Sequence, residues 1–192
     1  MTRYSARPTR PAQLRRCPVS SQYVVGLDLS LTSTGICVMP LDWDQRWHLL
    51  DVSHVGCPLP RCATEAQRME RLELVIRAVR QAVMCTDVVC VAVEQYAYSR
   101  GQSQAHALGE LGGATKLELH RRGLLIVTPT ASAARAVLGV APRTGAKAWA
   151  HAQLRSWGAP AHWTGDELDA FAVANWAVME MGGVGLIGRS VA

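Results

Sequence analysis

Four acidic residues stand at the ends of apolar runs, and each placement is costly unless a cation meets it. Asp28 interrupts Val24-Val25-Gly26-Leu27-Asp28-Leu29, which reads as a buried strand. An ionised carboxylate there needs a cationic partner, and a divalent ion at the mouth of a cleft supplies one. Local capping of the following Ser30-Leu31-Thr32-Ser33-Thr34-Gly35 turn is an equally good account of Asp28 taken alone. Glu94 closes a second apolar run, Val88-Val89-Cys90-Val91-Ala92-Val93-Glu94. Asp166 and Asp169 are three apart at the start of an apolar helix, on one side of its first turn, where the helix dipole favours anions. Glu167 points elsewhere. Capping explains one acid at a helix start but explains Asp169 poorly, since Ala170, Phe171 and Ala172 follow it. Acids at three such places point to one carboxylate cluster, and a cluster of four repels itself unless hard divalent ions bridge it.

The elements that must position these acids alternate along the chain. Residues 23–28, 35–39 and 47–55 read as strands of a meander, and 64–84 as an amphipathic helix with Met69, Leu72, Ile76, Val79 and Val83 on one face. A strand over 87–94, a glycine-containing helix over 102–122 and a strand over 123–127 follow. Short helices are expected over 130–138 and 144–157, and a last apolar helix over 168–181, opened by Asp166. Strands alternating with helices predict an α/β domain. Gly109, Gly112 and Gly113 would let another element approach closely, a feature suited to a dimer contact.

A chain of 192 residues, 49% of them hydrophobic, suits one well-cored domain. The expected organisation is a basic, disordered arm over 1–21, the domain over 22–181 and a flexible tail over 182–192. The net charge is +5, and Arg3, Arg7, Arg10, Arg15 and Arg16 supply all of it, with no acid among them. The remaining body is formally neutral, so metal on its carboxylates would leave a basic excess facing a polyanion such as nucleic acid. No apolar run approaches the roughly 20 residues of a membrane span, so a soluble, cytoplasmic protein is expected. Six cysteines are present, of which Cys37 and Cys90 read as small hydrophobes inside strands. Cys57 and Cys62, near His54, lack the paired spacing of a zinc site.

Together, Gly26-Leu27-Asp28-Leu29-Ser30-Leu31-Thr32-Ser33-Thr34-Gly35, Val93-Glu94-Gln95 and Asp166-Glu167-Leu168-Asp169-Ala170-Phe171-Ala172 resemble the three acidic motifs of RuvC-type Holliday junction resolvases, more closely the bacteriophage branch. They fall in the right order across nearly the whole domain. The resemblance implies a ribonuclease H-like fold, a five-stranded mixed sheet with helices on both faces, acting as a homodimer. It implies binding of four-way DNA and two symmetric nicks that leave 5′ phosphates. The implied cofactor is Mg2+, two ions per site with Mn2+ able to substitute. Such a pair, about 3.5–4 Å apart, clamps the scissile phosphate, one ion activating a water and the other stabilising the leaving oxygen.

Carried over residue by residue, Asp28, Glu94, Asp166 and Asp169 are the implied metal ligands. Some relatives carry histidine at the third acidic position; Asp166 fills it here, which leaves His162 as an expected surface residue. Lys147, one of two lysines in the chain, resembles a family lysine that meets the phosphate. Arg135 and Arg143 would assist through phosphate contacts, and Tyr96, Tyr98 and Arg100 follow the second acid. A tyrosine there would stack on an exposed base, although the family aromatic aligns nearest Ala97. Ser30 and Thr32, with Ser33 and Thr34, would either bond phosphates or satisfy their own turn. The six tryptophans, Trp149 and Trp157 among them, are expected in the core or an interface. Two rivals share these features. The Asp-x-x-x-x-Ser-Thr-Gly turn also resembles the first phosphate loop of actin-like kinases, which need two related lobes. The same fold also serves non-cleaving branched-DNA binders and RNA–DNA hybrid nucleases.

Overall fold

The computed structural model describes residues 22–56, 58–59, 63–84, 87–95, 105–141 and 144–186. The arginine arm, Cys17, Cys57, Cys62, Cys85, Tyr96, Tyr98, Arg100 and Arg143 lie outside them. Five strands form one sheet: β1 (Tyr23–Asp28), β2 (Ser33–Pro40), β3 (Asp51–Gly56), β4 (Val88–Val93) and β5 (Ile126–Val127), in the order β3-β2-β1-β4-β5. The meander β1-β2-β3 is antiparallel, whereas β4 and β5 run parallel to β1. The sheet is therefore mixed, as expected, and no second lobe of the kind an actin-like kinase requires is present among the described residues.

Five helices cover it: α1 (Glu65–Met84), α2 (Ala105–Arg121), α3 (Ala131–Ala136), α4 (Ala146–Ser156) and α5 (Gly165–Glu180). The period-2 alternation of β1 splits the core into two layers. Val25 and Leu27 pack with Leu72, Val75 and Val79 of α1 and Leu111 and Leu119 of α2. Val24 faces the opposite side, with Cys90 and Ala92 of β4 and the apolar bulk of α5. Residues Leu168 to Asn175 of α5 are buried without a break, so this helix is a core element rather than an amphipathic cover.

Two glycines set how closely α5 lies on the sheet. A Cβ on Gly26 would collide with the Ala170 carbonyl and Ala174, and one on Gly35 with the Asp166 carbonyl. The helix backbone thus rests directly on β1 and β2. A Cβ on Gly113, by contrast, would meet nothing within 4 Å among the described residues.

Several element boundaries differ from the sequence expectation; β2 already begins at Ser33, inside the expected hydroxyl turn. The third strand begins at Asp51, because Trp47–Leu49 turn into a 3-10 helix. Trp47 leaves the sheet to join Trp43, Trp163 and Phe171 in an aromatic cluster, and its Nε1 donates to the Trp157 carbonyl at 3.2 Å. The fifth strand shortens to Ile126–Val127 because Gly123, at φ 72°, ends α2 in the left-handed conformation typical of helix C-termini. The expected flexible tail is docked through Leu186: Val184 N–H donates to the Leu41 carbonyl, and buried Asn175 holds both backbone groups of Leu186 at 2.9 and 2.7 Å. Cys37 and Cys90 are buried free thiols, as read.

Candidate active site

Strand parity aims the first two acids. Asp28 shares the face of Val24 and Gly26, and Glu94 that of Cys90 and Ala92, so both side chains leave the sheet toward α5. The Glu94 N–H donates to the Leu27 carbonyl at 2.9 Å, which carries the parallel pairing of β1 and β4 up to the acids. Gly35 pairs with Asp28 across the hairpin and sits under Asp166. The contact that seats α5 therefore also brings the third acid to the first.

The Ser30 turn does not use Asp28. Ser30 Oγ accepts from the Thr32 and Ser33 N–H groups, and Thr34 Oγ1 donates to the Ser30 carbonyl. These hydroxyls satisfy one another, which removes the capping account of Asp28. The capping account of Asp166 fails in the same way. Thr164 caps α5, its side chain accepting from the Glu167 N–H, and Glu167 reaches back to the Thr164 N–H at 2.5 Å in a full capping box. Glu167 also meets His54 Nδ1 at 3.2 Å. Asp166 and Asp169 are left for other work.

Asp169 is the most enclosed of the four, 3% exposed, and a lysine, an arginine and a histidine converge on it. Lys147 Nζ lies 2.5 Å from Oδ2, while His151 Nε2 and Arg135 Nη2 lie 3.1 and 3.4 Å from Oδ1. Lys147 and His151 are four apart on α4 and so share its face. Arg155, further along α4, bonds the carbonyls of Pro160 and Trp163 and ties down the loop that leads to the Thr164 cap.

This site sits on an architecture with known counterparts. The T. thermophilus RuvC solved in complex with Holliday junction substrate superposes with a TM-score of 0.61 at 19% identity, over 84% of this chain and 96% of that one. A second Thermus thermophilus RuvC structure gives 0.59 at 20%, over 84% and 97%. The fold is RuvC-like. The yeast mitochondrial Holliday junction resolvase is similar at 0.52 and 11% identity, over 82% of this chain and 78% of that one. No protein-family model matches the chain, and no curated protein sequence matches it significantly.

The electrostatics of the site show an excess of negative charge. Burial, then the neighbouring Glu94 and Asp169, push the Asp28 carboxyl up to about 7. Glu94 is raised as well, by burial and by Asp169. Burial alone would raise Asp169, yet the hydrogen-bonded His151 and the Lys147 ammonium beside it hold it below the usual range. Burial opposes the charge on Lys147, but Asp169, Asp28 and Asp166 together raise its value.

The chemistry of this donor set, though not its present spacing, suits a divalent cation. The four acids are hard oxygen donors. Asp28 is destabilised as an anion by its surroundings, and buried Asp169 Oδ2 has an ammonium beside it but no well-directed hydrogen bond. Among the described residues, no three His, Cys, Asp or Glu side chains already stand at the spacing one ion requires. The acids share one end of the sheet but do not yet converge on a point.

Ser30 and Thr32 bond each other at 3.2 Å on the exposed turn. His162 is exposed, as expected. His151 was not anticipated; its signal is the four-residue spacing from Lys147. The Thr164-x-x-Glu167 signature of the capping box was equally readable.

Proposed function

We propose that this chain is a metal-dependent, structure-selective endodeoxyribonuclease that resolves Holliday junctions, and other branched DNA, by paired nicks leaving 5′ phosphates. The observation that carries this reading is the gathering of Asp28, Glu94, Asp166 and Asp169 at one end of a RuvC-like sheet with Lys147 against Asp169. The T. thermophilus neighbour was solved with Holliday junction substrate, and the same class of ligand is proposed here. Assignment to the bacteriophage branch rests on the sequence motifs alone.

In this mechanism the four carboxylates would hold two Mg2+ or Mn2+ ions. When bound, such ions polarise the scissile phosphate and supply a water acidic enough to attack it. Asp28 and Glu94 anchor the site to the rigid sheet, and Asp166 and Asp169 close it from α5. Lys147, partly exposed at the rim, presents its ammonium to the phosphate as negative charge accumulates there. Arg135 and Arg143 add phosphate contacts, with Ser30, Thr32, Arg100 and the arginines of the first sixteen residues. Tyr96 or Tyr98 stacks on a base opened at the junction. A homodimer places two such sites on the two strands to be nicked.

The test uses end-labelled four-way junction, fork, linear duplex and RNA–DNA hybrid, each with Mg2+ or chelator, with wild type and Asp28→Asn. Paired symmetric nicks that need both metal and Asp28 support the proposal. Tight junction binding without cleavage in any metal identifies a non-cleaving module instead, and cutting confined to the hybrid identifies a different nuclease of this fold.

A further inference from the structure

The pairing of Asp28 with Gly35 continues one strand further. Gly35 pairs in turn with His54 of β3, so Asp28, Gly35 and His54 form one row across three strands. Residues in such a row share a face, and Val52, two positions before His54, packs in the α5 layer whereas Val55 packs in the other. The first turn of α5 lies along this row. Its Asp166 carbonyl rests on Gly35 in the middle, and Glu167 reaches the outer end, where His54 Nδ1 stands 3.2 Å from Oε1. A carboxylate only accepts, so Nδ1 carries the proton and donates it. The two oxygens of Glu167 are thereby divided: Oε2 takes the Thr164 N–H at 2.5 Å, and Oε1 takes the imidazole. Capping the helix requires only the first of these bonds. The second ties the helix start to β3, the edge strand of the sheet.

A single contact at Gly35 is a pivot about which the helix start can rock. A second contact on β3, about 5 Å away and on the side of Gly35 opposite Asp28, stops that rocking. Resting on the nuclease reading above, we propose that His54 is a positioning residue of the site: through Glu167 it fixes the tilt of the first turn of α5, and so the placement of Asp166 and Asp169 relative to Asp28 and Glu94. Asp166 directly precedes Glu167 and Asp169 follows two residues later, so a movement of the turn that frees Glu167 carries both acids with it. The carboxylates reach an ion by side-chain rotation, which is productive only from a backbone held in place.

The experiment uses the full-length protein, and hydrogen exchange is recorded first, without metal or DNA. In His54→Ala the amides of residues 164–171, among them the Leu168 N–H on the Thr164 carbonyl, should exchange about tenfold faster, as loss of one hydrogen bond to a charged group allows. His54→Asn, whose amide nitrogen takes the place of Nδ1, should exchange as wild type does. On four-way junction DNA, the Mg2+ concentration for half-maximal cleavage should rise about tenfold in His54→Ala, the usual effect of losing a group that orients a ligand. It should return to the wild-type value in His54→Asn, with junction affinity in chelator constant throughout. Val55→Ala trims the opposite face of the same strand, and should lower stability without changing the Mg2+ requirement. Unchanged exchange in His54→Ala, a His54→Asn no better than His54→Ala, or a Val55→Ala that raises the Mg2+ requirement equally overturns the proposal. Wild type and His54→Ala that nick junctions with the same Mg2+ dependence overturn this inference alone. Wild type that cuts no DNA at any Mg2+ concentration overturns both this inference and the nuclease reading.

Discussion

Among the four acids, Asp28 has the least favourable electrostatic position, since burial and the three others oppose its ionisation. A group so placed costs stability whenever it is charged without a partner, and a bound cation removes that cost. Metal at a hundredfold excess over its Kd should therefore stabilise wild type by about 2.7 kcal/mol, a rise of about 5–11 °C for a chain of this size. In Asp28→Asn the metal-free protein should melt higher than wild type while metal adds little, read by differential scanning calorimetry with and without chelator. Lys147→Met should leave the fold intact and lower junction cleavage about 100-fold or more, as loss of one transition-state donor does. The four acids stood out because charge inside an apolar pattern is conspicuous, whereas Lys147 was named only through the family resemblance. His151 was not legible, because a histidine on a mixed helix face looks ordinary until Asp169 is brought to it from another helix.

At the scale of elements, the site depends on how α5 starts and where it rests. The Thr164–Glu167 box fixes the first turn that carries Asp166 and Asp169, so Thr164→Ala should cost about 1 kcal/mol, measured by urea unfolding. Gly35→Ala should cost more, about 3 kcal/mol, because a methyl would meet backbone rather than a yielding side chain. Helices and strands were readable wherever the apolar period was long, as in α1, β1 and β4. The periodicity failed at 47–50 and 123–125, where tertiary demands took over: Trp47 was drawn into its aromatic cluster, and Gly123 served the end of α2 rather than a strand. The glycines at 26 and 35 looked like turn or strand residues, since nothing local reveals a helix that arrives more than 130 residues later.

Across the whole molecule, the two faces of the sheet are held by different means. The α1/α2 face is fastened at its surface by Glu118 of α2, which bonds Arg80 of α1 at 2.7 Å and Arg122 at 2.8 Å. The two guanidinium groups pull the Glu118 carboxyl from its ordinary 4.5 down to about 2. A folded value below the unfolded one adds stability above about pH 4.5 that disappears as pH falls toward 2. The difference in urea midpoint between wild type and Glu118→Gln should accordingly be largest near neutrality and shrink by pH 3. The α5 face relies instead on direct backbone contact at Gly26 and Gly35. That contact acts as a gauge block. The closest approach between the sheet acids and the helix acids is set by two side-chain-free positions, with the packed apolar residues of α5 filling in around them. The sheet and α5 can stay this close only while those two positions never acquire a side chain.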